Sequence, residues 1–191
     1  QETTLYGMDL YGEKRLPELL KRLCAIAGVY WIRLLYCYPE EITDELIETI
    51  RTQDKVCSYL DIPIQHASDR ILKRMGRRTD RQELTDIITK LREQIPEICL
   101  RTTIITGFPG ETQEEHESLL EFVDEMAFDR LGVFPYSPEE DTPAALFEDQ
   151  VDEAVKLERQ ADIMELQQEI AFEKAQAAVG STMLVMVEGR L

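Results

Sequence analysis

The chain is short of the residues that most often build a metal or nucleophilic centre. Its 191 residues include two histidines, one tryptophan and four cysteines. Cys24, Cys37, Cys57 and Cys99 all stand more than ten residues apart, so no local zinc or cluster spacing exists and no metal ligand is assigned. Free buried thiols in a reducing compartment account for them, which places the protein in the cytoplasm. No run is long or apolar enough to cross a membrane, and the opening Gln1-Glu2-Thr3-Thr4 has no signal-peptide pattern. A start without Met and an end inside the apolar run Met183 to Val187 are expected of a piece cut at both ends from a longer protein.

Positive charge is also scarce. Twenty-one Lys and Arg face 38 Asp and Glu, a formal net charge of −17. Such a surface repels nucleic-acid phosphates and suits a basic partner. Solvated helix faces produce the same count, and that plainer reading comes first. Hydrophobic residues make up 43%, enough for a sizeable core.

What is present alternates. Leu16, Leu19, Leu20, Leu23 and Ala27 share a helical face that Gly28 ends, and the run Tyr30 to Tyr36 is rich in strand formers. Thr43 can cap a helix carrying Leu46, Ile47 and Ile50 before a strand over Ser58 to Pro63. Ser68 can cap a short helix, and Thr79 with Gln82 reads as a capping box before Leu84, Ile88 and Leu91. Cys99 to Thr106 reads as a buried strand. Thr112 with Glu115 forms another capping box, and Arg130 to Pro135 is the next strand.

An acidic loop, Pro138 to Gln150, leads into a long helix over about 151–178 with Leu157, Ala161, Met164, Ala171 and Ala175 on one face. Gly180 ends it, and Ser181 to Glu188 reads as a new strand, so a domain boundary is expected within or after the helix. Strands separated by helices indicate parallel βαβ units. Four clear strands, with a fifth ending near Thr4, are too few for a closed eight-stranded barrel. A partial barrel or an open doubly wound sheet is predicted.

In such folds ligands bind where strands end. Those ends carry Tyr36 to Pro39, Gln65 to Ser68, Gly107 to Thr112 and Tyr136 to Pro138. The Gly107-Phe108-Pro109-Gly110-Glu111-Thr112 turn is the sharpest, with two glycines and a helix start behind it. It lacks the Gly-Lys-Ser/Thr ending of a phosphate loop and the GxGxxG fingerprint. His66 reads as a hydrogen-bonding residue rather than a catalyst, and His116 as structural or exposed. Arg33 and Arg101 sit inside strand patterns and each needs a carboxylate, from the protein or from a ligand. Arg101 is favoured as a ligand contact near the rim.

Three segments carry a resemblance. They are Tyr59 to Lys73 (YLDIPIQHASDRILK), Leu100 to Thr112 (LRTTIITGFPGET), and Val133 to Pro138 (VFPYSP) with Thr142-Pro143-Ala144. In order and spacing they resemble the methylthiotransferase family of radical S-adenosylmethionine enzymes. The branch modifying tRNA adenosine has a different first motif and a basic residue after Tyr-Ser. Here Glu139, Glu140 and Asp141 follow Ser137-Pro138, so the chain resembles the RimO branch, which methylthiolates an aspartate of a ribosomal small-subunit protein.

The resemblance implies an α/β fold, a radical-SAM-type partial barrel truncated on its N-terminal side over residues 1–166. Residues 167–191 would finish the long helix and begin a truncated TRAM β-barrel. It implies S-adenosylmethionine and two 4Fe-4S clusters in the full-length protein. The first cluster, held by a CxxxCxxC loop, cleaves S-adenosylmethionine reductively to a 5′-deoxyadenosyl radical that takes hydrogen from an unactivated carbon. Of the site, this chain would keep Gln65, Arg101, Gly107, Pro109, Glu111 and Tyr136 as cofactor-binding candidates. No CxxxCxxC occurs, so the piece alone is expected to be inactive. The expected partner is the ribosomal protein, free or on the ribosome, with no membrane and no nucleic-acid contact through this segment. The other readings are the tRNA-modifying branch, a non-catalytic module docking a basic protein, and an unrelated β/α enzyme holding a phosphate at the Gly107 turn.

Overall fold

A computed structural model describes residues 2–187 and 189. Its elements run α1 (Met8–Tyr11), α2 (Leu16–Cys24), β1 (Ile32–Leu34), α3 (Asp44–Thr52), β2 (Val56–Asp61), α4 (Asp69–Arg74), α5 (Arg81–Gln94), β3 (Cys99–Thr106), α6 (Gln113–Met126), β4 (Arg130–Pro135) and α7 (Glu153–Ala177). The four strands form one parallel sheet in the order β1-β2-β3-β4. Every crossover contains a helix, as parallel neighbours require. The sheet stays open, which agrees with the partial barrel predicted.

The sheet's two faces differ. Along β3, Leu100, Thr102, Ile104 and Thr106 are buried, while Cys99, Arg101, Thr103 and Ile105 are half-buried. Period-two alternation puts the first set against the helices and the second on the open, concave side. The helix side holds the core, including Leu60, Ile88, Leu91, Phe122, Phe128 and Ile163. Phe122 and Phe128 are fully enclosed, and each such side chain contributes about 2 kcal/mol by leaving water.

Several helix starts follow their sequence signals. Thr43 accepts from the Leu46 N–H and Ser68 from the Ile71 N–H. Thr112 and Glu115 form the reciprocal capping box. The box expected from Thr79 and Gln82 is instead made by Asp80 and Glu83, one residue later. The Asp80 carboxylate is the stronger acceptor at a helix N-terminus, and Thr79 is buried.

Three other expectations need correction. The segment near Thr4 is a turn, joined to the loop after β1 by the Thr3 N–H, which donates to the Tyr36 carbonyl at 3.2 Å. Residues 181–187 form no strand: among the described residues they have no ladder partner for their backbone groups. Glu188, the end of that expected strand, lies outside the described residues. Helix α7 docks through Lys156, Arg159, Ile163, Gln167 and Ile170, not through the Leu157–Ala175 face. Leu157 is 51% exposed. Long polar side chains on the docked face reach carbonyls of the loops that flank β3 and β4, a demand that apolar periodicity does not register. This packing continues past residue 166, with Gln167 donating to the Phe128 carbonyl and Lys174 paired to Asp129. Among the described residues no helix is long and apolar enough to cross a membrane.

Candidate functional site

A cleft of about 730 Å³ opens at the C-terminal ends of the strands. Tyr38 follows β1, Gln65 follows β2, Ile105 and Phe108 come from the end of β3, and Tyr136 follows β4. The α4–α5 connection, Met75 to Arg78, and Thr142 to Ala144 of the acidic loop close its sides. Phe108 and Tyr136 meet edge to face with centroids 5.1 Å apart, making an apolar wall.

Gln65 holds a left-handed backbone, φ 72, which is uncommon for a residue with a side chain. Two hydrogen bonds impose it: its N–H donates to the Thr103 carbonyl and its carbonyl accepts from the Ile105 N–H, both at 2.9 Å. Strain of this kind concentrates at ligand-binding sites.

The Gly107 turn is held from behind. Gly107 and Gly110 both have positive φ, at 66 and 80. The Glu111 carboxylate folds back and accepts from the Gly107 and Phe108 N–H groups at 2.5 and 3.2 Å. Arg159 of α7 donates to the Glu111 carbonyl at 3.1 Å and lies 3.2 Å from its other carboxylate oxygen. Burial pushes the Glu111 carboxyl above its usual range, against the lowering pull of Arg159 and the two amides. Gly110 is fixed from outside, its N–H donating to the Asp149 carbonyl and its carbonyl accepting from Arg70.

Both histidines lie behind this turn. His66 accepts the Ser68 N–H at Nδ1, 2.9 Å, so its proton sits on Nε2, which is 3.9 Å from Glu111. Burial brings its pKa down to about 4, which keeps the ring neutral. His116 is buried with Nε2 3.0 Å from Asp162 of α7. Burial would raise the nearby Glu115 carboxyl, but Arg70, the Thr112 N–H and the Ser68 hydroxyl outweigh it and hold it at about 2.

Of the six candidates, Gln65 and Tyr136 line the cleft. Gly107, Pro109 and Glu111 are buried in the turn that presents Phe108, and the Glu111 carboxylate points inward, away from the opening. Arg101 was expected near the rim and is not there. It sits third in β3 on the open face, donating to both Asp61 carboxylate oxygens at 2.8 and 2.9 Å. The carboxylate that a strand arginine needs is the protein's own. Phe108 and Tyr38 were missed as individual residues, although both lie in rim segments singled out by sequence. Lys156 gave no signal at all, because only tertiary packing brings it to the turn.

Comparison with known proteins follows the same outline. The Radical SAM superfamily matches residues 1–123. Ribosomal protein uS12 methylthiotransferase RimO of Lachnoclostridium phytofermentans is 64% identical over 191 residues, 100% of this chain and 43% of the relative. The protein of that name from Desulfitobacterium hafniense is 54% identical over the same span, again 43% of its length. The chain therefore spans less than half the length of these relatives.

Among solved structures, the radical S-adenosylmethionine methyltransferase TsrM from Kitasatospora setae aligns with TM-score 0.56 at 16% identity, over 69% of this chain and 27% of that one. Elp3 of Methanocaldococcus infernus aligns with TM-score 0.56 at 14% identity, over 81% and 36%. These two share the fold. With four parallel strands, a cleft at their C-terminal ends and a family match over more than half its residues, the chain belongs to the Radical SAM superfamily.

Proposed function

We propose that this chain is the cofactor-holding part of a methylthiotransferase that adds a methylthio group to the β-carbon of an aspartate in ribosomal protein uS12. The observation that carries this reading is the 64% identity over all 191 residues with a protein of that activity. That span includes every segment that builds the cleft.

S-adenosylmethionine fits the residues present. The Phe108–Tyr136 wall suits a flat apolar ring, and the Tyr136 hydroxyl is enclosed without a hydrogen-bond partner among the described residues. Gln65 and Tyr136 would touch the cofactor, while Gly107, Pro109 and Glu111 shape the turn that offers Phe108 to it. When bound, S-adenosylmethionine would supply the radical that opens an unactivated C–H bond, its S–C5′ bond broken by an electron from a cluster held outside this chain, and a second molecule would supply the methyl of the new group. The chain's own residues bind and orient it and keep water away.

An iron–sulfur cluster does not fit here. Among the described residues no group of His, Cys, Asp and Glu could hold a metal. Cys37, the cysteine at the cleft end of the sheet, is buried, and burial pushes its thiol up to about 12, far from a ligating thiolate. Both clusters of the whole enzyme would be held by residues outside this chain.

The acidic stretch Glu139-Glu140-Asp141 runs directly into Thr142 to Ala144 at the cleft's edge. That placement favours a basic protein loop over RNA as the substrate, by charge complementarity. The site of action would be the cytoplasm. The experiment is mass analysis of uS12 and of tRNA from cells lacking the gene. Loss of the methylthio group from uS12 alone is expected. Loss of methylthio-adenosine from tRNA, with uS12 unchanged, assigns the protein to the tRNA-modifying branch instead.

A further inference from the structure

Helix α7 gives no residue to the cleft wall, yet its first turns touch the back of both segments that form the aromatic side. Lys156 is 5% exposed. Its aliphatic stem lies so close against Gly107 that a Cβ added there would overlap it. Its ammonium donates to the Tyr136 carbonyl at 3.0 Å and sits 5.5 Å over the Tyr136 ring. Glu153 supplies the carboxylate at 3.1 Å. The Lys156 carbonyl accepts from the Thr106 hydroxyl at 3.2 Å, and one turn later Arg159 holds Glu111. The helix residues and Tyr136 lie beyond residue 123, where the superfamily match ends, whereas Thr106, Gly107 and Glu111 lie within it.

A methionine would fill much of this space with less loss of hydration, because a buried ammonium is costly to desolvate. What the ammonium adds is direction. It ties the end of β4 to the turn after β3, and so sets the spacing between the Tyr136 and Phe108 rings. We infer that Lys156 is a positioning residue for the ligand bound against those rings, acting through Tyr136 and Gly107 without touching the ligand. This rests on the S-adenosylmethionine reading of the cleft.

Lys156→Met tests it in this chain, with S-adenosylmethionine affinity from calorimetry and Tm measured side by side. Affinity should fall by about tenfold, a displacement effect, while Tm stays within about 2 °C. Glu153→Gln, at an exposed position, should give a smaller loss of affinity. Lys174→Met, which removes an ion pair of the same helix far along from the rim, should give none. If Lys156→Met binds S-adenosylmethionine as tightly as the parent chain, the inference is wrong. If affinity and Tm fall together, the role is structural and the inference is equally wrong. If Lys156→Met fails to fold, Glu153→Gln decides alone, and parent-like binding by it overturns the inference. Failure of the parent chain to bind would overturn the cofactor reading itself, an outcome distinct from the others.

Discussion

The two ends of β3 hold their polar groups in opposite ways. At the C-terminal end, Glu111, Arg159, His66 and Lys156 are all buried, and their contacts fix the backbone of the loops that follow β2, β3 and β4. Lower on the strand, the polar groups sit on the open concave face. Arg101 is paired with Asp61 yet 38% exposed, and elsewhere in the sheet Arg33 of β1 lies 5.1 Å over the ring of Tyr59 on β2. In the first group the Glu111 carboxylate is enclosed, so losing it strands its backbone partners. Lys156 differs, because an apolar side chain of similar length can take the place of its stem. Charges in the second keep water as an alternative, so losing one costs little. The rim is therefore rigid where a ligand is proposed to sit, and the open face tolerates change.

Mutation should expose that contrast most sharply at Glu111. Glu111→Ala leaves two buried N–H groups without their acceptor and the Arg159 guanidinium without its carboxylate, although its bond to the residue-111 carbonyl remains, and should cost about 3 kcal/mol in urea unfolding. A loss near zero would mean that the turn is not held from behind.

Acid should act on the same region. The folded pKa of His66 is lowered to about 4, so the unfolded chain takes its proton first. The stability this neutral ring preserves is intact above about pH 6.5 and is lost as pH falls toward 4, on the order of 3 kcal/mol. Glu115 is also lowered, to about 2, so its contribution is intact above about pH 4.5 and fades below that. His66→Asn, whose side-chain oxygen can still accept from Ser68, should flatten the upper window of a pH–stability profile. Glu115→Gln should flatten the lower one. Parallel profiles for His66→Asn and the parent chain would contradict the buried neutral histidine.

On the open face the expected effects shrink. Arg101→Ala should cost about 1 kcal/mol, the value of a half-exposed pair with good geometry. Its S-adenosylmethionine affinity should match that of the parent chain. Arg33→Ala, removing only an exposed cation–π contact, should change stability by no more than about 0.5 kcal/mol.

The architecture was legible because the four strands and most of the helices carry local signatures, although the short helix α1 was not read. Strands such as Cys99 to Thr106 are recognisable from their own residues, and Thr112 with Glu115 marks a helix start within four positions. The rim was legible for the same reason, since strand ends follow once strands are placed. What stayed hidden depends on contacts distant in sequence. Asp61 lies 40 residues from the arginine it neutralises, so Arg101 looked available to a ligand. Lys156 lies 20 residues from the carbonyl it meets, on a helix whose apolar pattern pointed to another face. The run Met183 to Val187 has strand composition, but a strand needs a neighbour, which composition does not supply.

Amide chemical shifts of this chain during titration with S-adenosylmethionine test the central claim, that the cleft at the strand ends is the cofactor site. The account predicts saturable shifts at Gln65, at Gly107, Phe108, Gly110 and Glu111, and at Tyr136, with Arg33, Tyr59 and Arg101 unmoved. Shifts centred on the open face, or none at the rim, would contradict it.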